Sequence, residues 1–167
     1  VLGVFGEVLI NSEPLWRQAG LDVFKECDTP VTLADLAEWT GSPVRLIVQK
    51  AAQRYGRQLD VEAVTQRFLD TAIARILAAK PLMPGVKETL ALLQSHGIKM
   101  AIASASPRPM LEQIVDSCGI ADYFSYISSA HELQYNKPHP QVYLHALEKL
   151  GVSPLEAVGL ESSKPTA

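Results

Sequence analysis

The spacing of apolar residues changes character near residue 80. Val1-Leu2-Gly3-Val4-Phe5 is a short continuous apolar run, the pattern of a strand buried on both faces. From about Pro14 to Lys80 the apolar positions keep a helical period instead. Leu15, Leu21 and Phe24 give a first stripe, and Thr32 offers a cap for a helix over Leu33 to Trp39. Ser42-Pro43 opens a helix carrying Val44, Ile47, Val48 and Ala51, which Gly56 closes. Asp60 caps the longest stretch, in which Val61, Val64, Phe68, Ala72, Ile73 and Ile76 share a face. Four consecutive amphipathic helices predict a small bundle.

After the punctuated connector Pro81-Leu82-Met83-Pro84-Gly85, strands and helices alternate. Val86, Leu90 and Leu93 line a helix that Gly97 ends; Ile98 to Ala103 reads as a strand, Pro107 to Cys118 as a helix and Tyr123 to Ser128 as a strand. A helix from Pro140 to Leu150 stops at Gly151, and Ala157 to Leu160 supplies a last strand. A strand, a helical insertion and then alternating elements predict an α/β fold: an open parallel Rossmann-like sheet with a four-helix unit inserted after its first strand. The expected domains are a core made of residues 1–13 and 81–167 and a helical insertion at 14–80.

Composition narrows the function classes. At 167 residues, 47% hydrophobic and 20% charged, the chain can bury a core and is neither disordered nor fibrous. A net charge of -3 argues against a nucleic-acid surface, so an anionic ligand would have to be gripped locally. Cys27 and Cys118 lack Cys-x-x-Cys spacing and read as buried thiols of a reducing compartment. Val1 to Phe5 is too short for a signal-peptide core, and no segment approaches the ~20 apolar residues of a membrane span. A cytoplasmic protein without membrane contact is expected.

Candidate chemistry gathers at two places. Ser104, at the end of an apolar run and just before a helix opening at Pro107, faces the free N–H groups of that turn, which suits an anion. Taken alone, Ser104 reads with Ser106 rather as a cap of the helix opening near Pro107. Lys137, in Asn136-Lys137-Pro138-His139-Pro140, reads from its residue type alone as a solvated lysine in a polar loop. His139 and His145 have no partners at metal spacing, and structural roles are expected for both. His96 and His131 read as surface or cap residues, Trp16 and Trp39 as packing residues.

Five motifs in register change this picture: Ser12-Glu13-Pro14-Leu15-Trp16, Pro84-Gly85-Val86, Ser104-Ala105-Ser106-Pro107, Lys137-Pro138-His139-Pro140-Gln141-Val142-Tyr143 and Leu160-Glu161-Ser162-Ser163. Together they resemble the capped sugar-phosphate phosphatases and β-phosphoglucomutases of the haloacid dehalogenase superfamily, nearest to the hexitol phosphate and 2-deoxyglucose-6-phosphate phosphatases. The resemblance implies that Ser104 and the Ala105 N–H bind the transferring phosphoryl group and that Lys137 bridges phosphate and nucleophile. It implies a magnesium ion, with Glu161 at the first of the metal-orienting acid positions. It also implies a phosphorylated sugar or sugar alcohol as partner, met in the inserted cap by Ser42 or Arg45, although Arg45 reads equally as an outer-face residue of its helix.

The same resemblance exposes departures. The family carries Asp-x-Asp-Gly after its first strand, where one Asp attacks phosphorus and the next protonates the leaving alcohol. Counting back from Ser12 puts Val4 at the nucleophile and Gly6 at the acid/base; counting forward from the strand aligns Phe5 with the family's aromatic, deletes two positions and leaves Gly6 and Glu7 where the second Asp and its Gly should stand. Neither register supplies an Asp. Asn11 stands where the family usually has Asp, and Ser162 replaces the second metal-orienting acid. The expectation is a phosphatase-like hydrolase without magnesium-dependent turnover as written; the alternatives are a non-catalytic phosphosugar-binding or regulatory protein, a β-phosphoglucomutase-like isomerase, and an interaction domain. The chain is expected to be truncated, since it stops at Ala167, before the family's next helix, fifth strand and closing helix. Self-association through the uncovered sheet edge is expected to follow.

Overall fold

A computed structural model describes residues 2–3, 8–137 and 139–161. Two compact units emerge, Glu13–Ala79 and Val1–Ser12 with Lys80–Ala167.

The first unit is helical: α1 (Glu13–Glu26), α2 (Leu33–Glu38), α3 (Val44–Tyr55) and α4 (Val61–Ala79). Pro14 falls in the first turn of α1, where its missing N–H leaves no bond unmade. Ala19, Val23, Phe24, Leu36, Val48, Val64, Phe68 and Ala72 meet in one buried cluster. Gly20 makes that packing close, since a Cβ there would lie 2.7 Å from the Phe68 ring. Thr32 caps α2 through a complete capping box: its hydroxyl accepts from the Asp35 N–H, and the Asp35 carboxylate accepts from the Thr32 N–H at 2.8 Å. Asp35 also accepts from the Tyr55 hydroxyl and the Arg54 guanidinium of α3, so one buried carboxylate ties two helices. Burial opposes its charge, but the bonds from Tyr55, Thr32 and Arg54 outweigh burial and hold the carboxyl well below the usual range. Arg54 in turn lies over the buried Trp39 ring, 4.9 Å from its centroid.

Two expected helix starts come out differently from each other. Asp60 does cap α4, accepting from the Ala63 N–H at 3.0 Å. At α3 the N-cap is Pro43, with no side-chain cap, and the Ser42 hydroxyl accepts from Lys50 Nζ at 3.3 Å instead. Pro43 already has its φ fixed, which leaves Ser42 one residue too early to reach the first turn.

The second unit carries the sheet. Its elements are β1 (Leu2–Gly3), α5 (Val86–Ser95), β2 (Ala101–Ser104), α6 (Arg108–Ser117), β3 (Tyr126–Ser129), α7 (Gln141–Leu150) and β4 (Gly159–Leu160). All four strands are parallel in the order β3-β2-β1-β4, with Leu2 paired to both Ala101 and Gly159 and Ser104 paired to Ser129. The expected open parallel α/β sheet is therefore present. Ala101 and Ala103, alternate residues of β2, face Val142, Ala146, Leu147 and Leu150 of α7; the small side chains let the helix settle close to the sheet. The chain leaves this unit and returns to it at one antiparallel bridge, Ile10 to Leu82, flanked by bonds from Asn11 N–H to the Pro81 carbonyl (2.8 Å) and from Met83 N–H to the Leu9 carbonyl (2.9 Å).

Strand starts needed correction. β2 begins at Ala101 rather than Ile98, because Gly97 adopts φ 67° and the Ile98 N–H turns back to the Leu93 carbonyl, closing α5. β3 begins at Tyr126 rather than Tyr123, which belongs to a 3₁₀ turn over Ala121–Tyr123. β4 is confined to Gly159–Leu160 after another such turn, Pro154–Glu156. Cys118 is buried as expected, but Cys27 is partly exposed; both are free thiols. No helix among the described residues is long and apolar enough to cross a membrane.

Replacing Asp35 by Asn should destabilise the helical unit by about 2 kcal/mol, through loss of the cap and of the charged acceptor. Because the Asp35 pKa is depressed by folding, the gap between wild type and variant should be full above the ordinary carboxylate range and shrink as the pH falls below it. Denaturant unfolding at neutral and acid pH measures both.

Candidate anion site at the strand ends

In an open parallel sheet, ligands lie beyond the carboxyl ends of the strands, where the strand order reverses. Here the reversal is at β1, flanked by β2 on one side and β4 on the other. Ser104 is the last residue of β2, and Glu161 follows directly on β4. Topology thus brings both to one edge of the sheet, on either side of β1. The residues after β1, including Val4, Gly6 and Glu7, lie outside the described residues, as do Pro138 and Ser162.

The turn after β2 is held from two sides. Ser104 is buried, and its hydroxyl accepts from the Ser106 N–H at 3.2 Å. Ser129, the last residue of β3 and also buried, donates its hydroxyl to the Ser106 carbonyl at 2.6 Å. The Ser106 peptide is therefore fixed at both ends, while the neighbouring Ala105 is exposed. Neither serine caps α6, whose N-cap is Pro107 without a side-chain bond. Arg108, the first residue of α6, is already committed. It makes a forked contact with Glu132 (2.9–3.1 Å), donates to the Tyr126 hydroxyl at 3.0 Å and lies 5.0 Å from that ring's centroid. The Glu132 bond raises the Arg108 pKa, and Arg108 in turn lowers that of Glu132.

The Lys137 loop is stiffened by its own polar groups. Asn136 Oδ1 accepts from the Lys137 N–H at 2.8 Å, the Asn136 carbonyl accepts from the His139 N–H, and His139 stacks on Tyr135 with centroids 4.4 Å apart. Gln141, at the start of α7, accepts from the Tyr135 N–H at 2.8 Å. The Lys137 ammonium lies 3.2 Å from Glu161 Oε2 and 5.1 Å from the centroid of the Tyr143 ring. The Tyr143 hydroxyl donates to the same Glu161 oxygen at 2.7 Å. Burial, and then this bond to Glu161, push the Tyr143 hydroxyl far above the usual range, so it remains a donor at ordinary pH. Sequence reasoning assigned no role to Tyr143; a phenol at this position is visible in the chain, but nothing in its spacing announces the bond to Glu161. The other residues that spacing left without a role are Ser129, Arg108 and Glu132.

The remaining candidates are occupied locally. Arg45 pairs with Glu62 on an exposed helix surface at 2.6 Å, and Ser42 takes Lys50. His145 shares a bond with the buried Ser128 hydroxyl at 3.0 Å and meets the Tyr126 ring edge-on. A depression of about 200 Å³ beside α5 is lined chiefly by apolar side chains, among them Leu9, Leu90, Leu93, Met100, Phe124 and Leu160, and contains no cationic side chain among its lining residues.

A parallel sheet with this strand order, a helical insertion after its first strand and polar residues collected beyond its strand ends define a Rossmann-like α/β scaffold with an inserted helical unit. The chain belongs to the haloacid dehalogenase-like hydrolase family, whose profile matches residues 5–164. It is 38% identical over 161 residues to hexitol phosphatase B of Escherichia coli K12, an alignment spanning 93% of this chain and 71% of that protein. Among solved structures, β-phosphoglucomutase from Clostridium difficile superposes with a TM-score of 0.80 over 96% of this chain and 74% of that one, at 18% identity. A hydrolase of the family from Deinococcus radiodurans, with bound phosphate and sodium, gives 0.71 over 99% and 72% at 27% identity.

Phosphatases of this family generally use magnesium, which takes octahedral oxygen ligands with carboxylates among them. Among the described residues no group of three or more His, Cys, Asp or Glu side chains could hold an ion. Glu161 is the acid at the strand ends, and its Oε2 is shared by an ammonium and a phenol. In the sequence, positions 4–7 add Glu7 alone and position 162 is serine. This donor set does not fit a magnesium ion.

Ser129→Ala should remove the bond that ties β3 to the turn after β2 and leave the Ser106 carbonyl without its side-chain donor. A loss of about 1–2 kcal/mol in unfolding free energy is expected, with amide shifts in NMR spectra concentrated at Ser104 to Arg108.

Proposed function

We propose that this chain binds phosphorylated sugars or sugar alcohols at the carboxyl ends of β2 and β4, without turning them over by the family's aspartyl-phosphate chemistry. Lys137 would supply the charge, the Ser104 hydroxyl and Ala105 N–H the directional contacts, and residues 14–80 would serve as the cap on a core of residues 1–13 and 81–167. The observation that carries the first half is a lysine on a stiffened loop, its ammonium within reach of Glu161, the residue that follows β4. The observation that carries the second is chemical: the first Asp in the chain is Asp22, so no register of the first-strand segment provides the carboxylate nucleophile. A hexitol phosphate is favoured as ligand by the 38% identity to hexitol phosphatase B. The mutase reading draws on structural likeness at 18% identity, which speaks for the fold alone.

Calorimetric titration should detect binding of inorganic phosphate and of a hexitol phosphate. Lys137→Ala should weaken it by about tenfold or more, as expected for loss of a charge-assisted bond. Ser104→Ala should have a smaller effect, because its hydroxyl already serves the Ser106 N–H. Phosphate release from a hexitol phosphate should not exceed that of the Lys137→Ala protein. Equal affinity in wild type and Lys137→Ala would remove the binding half; turnover that depends on Lys137 would remove the other.

A further inference from the structure

We infer that Glu161 is the internal counter-ion of Lys137, kept in place by the Tyr143 hydroxyl, so that Tyr143 is a positioning residue that sets how readily the site accepts an anion. The inference rests on the reading of Lys137 as the anion-binding group and adds that anion binding there needs no divalent cation.

The geometry distinguishes the two contacts on Glu161. The phenol bond is short, 2.7 Å, whereas the ammonium stands at 3.2 Å, longer than the 2.7–2.9 Å typical of a tight N⁺–H to carboxylate bond. Tyr143, itself fixed in the first turn of α7 and partly buried, is therefore the firmer anchor of the carboxylate. Lys137 can turn towards an incoming anion while Glu161 stays where it is. The lysine and glutamate side chains are 23% and 30% exposed, so their attraction is not fully screened and the ammonium remains reachable. An anion arriving at Lys137 meets the negative charge of Glu161 as well, and that repulsion lowers its affinity. A divalent cation at the Glu161 carboxylate would face the Lys137 ammonium at close range, with one of the two carboxylate oxygens already serving Tyr143 and Lys137. Both effects follow from where the phenol holds the carboxylate.

Phosphate titrations should separate this arrangement from a metal-dependent one. Glu161→Gln should raise phosphate affinity by about tenfold, since it removes a like charge near the bound anion. Tyr143→Phe keeps the ring beneath the ammonium and loses only the hydroxyl; it should raise affinity by a smaller factor. Because Tyr143 acts through Glu161, the Phe substitution should change nothing further in the Glu161→Gln background. Excess magnesium and excess chelator should give wild-type affinities equal within about twofold, the mark of no coupling. The ammonium resonance of Lys137, recorded by NMR without phosphate, should shift in Glu161→Gln and, less, in Tyr143→Phe. Lower phosphate affinity in Glu161→Gln, equal effects of Tyr143→Phe in both backgrounds, or a clear gain of affinity with magnesium would each overturn the inference. If no variant binds phosphate, the functional proposal fails, and the inference is then decided by the ammonium resonance: no shift in Glu161→Gln overturns it.

Discussion

One short pairing makes the arrangement of this chain workable. Residues 9–11 and 81–83 run antiparallel through the Ile10–Leu82 bridge, so the helical stretch between them is a closed excursion whose ends are pinned together. Closing so long an excursion costs entropy, although the cost grows only logarithmically with its length. Ile10 and Leu9, both buried, add apolar contact to the hydrogen bonds at that point. With the ends pinned, β1 and β2 can stand side by side in the sheet despite everything inserted between them, and the strand ends that carry Ser104 and precede Glu161 come to the same edge.

The electrostatics beyond those strand ends follow a common pattern: most charged groups arrive with a partner. Arg108 is forked onto Glu132, and the Ser106 peptide is bonded at both its N–H and its carbonyl. Lys137 differs in degree. Its carboxylate partner is held chiefly by a third group, and its contact is the longer of the two on that oxygen. Charge that is fully spent stiffens a loop, whereas charge that is loosely held can be redirected towards a ligand. The surroundings of Lys137, from Asn136 through the Tyr135–His139 stack, hold its loop in one place.

The elements are legible in the sequence because their signals are local. Thr32, Asp60, Gly56 and Gly151 act within a turn or two, and each sits where its cap was expected. The starts of β2 and β3 were misplaced by three residues, since an apolar residue such as Ile98 looks the same whether it enters a ladder or closes the preceding helix. The site was partly legible: Ser104, Lys137 and Glu161 stand in recognisable strings. What those strings could not convey is pairing across the fold. The Tyr143 bond to Glu161, the Ser129 bond to Ser106 and the Arg108–Glu132 fork join segments whose proximity exists only after the sheet has formed. The contacts of Arg45 with Glu62 and of Ser42 with Lys50 likewise join positions that no local string announces.

The strand register also carries a consequence for the order in which the molecule assembles. Contacts within α1 to α4 span shorter stretches of chain than the pairings of β1, even where α1 packs on α4, and shorter loops cost less to close. Leu2 must instead wait for Ala101, and then for Gly159, before its ladder is complete. On a ribosome β1 would emerge ahead of both its neighbours and complete its pairing only when β4 has been made. Until then it is an unpaired apolar segment that a chaperone could hold, and the helical excursion would already be folded when its two ends are drawn together.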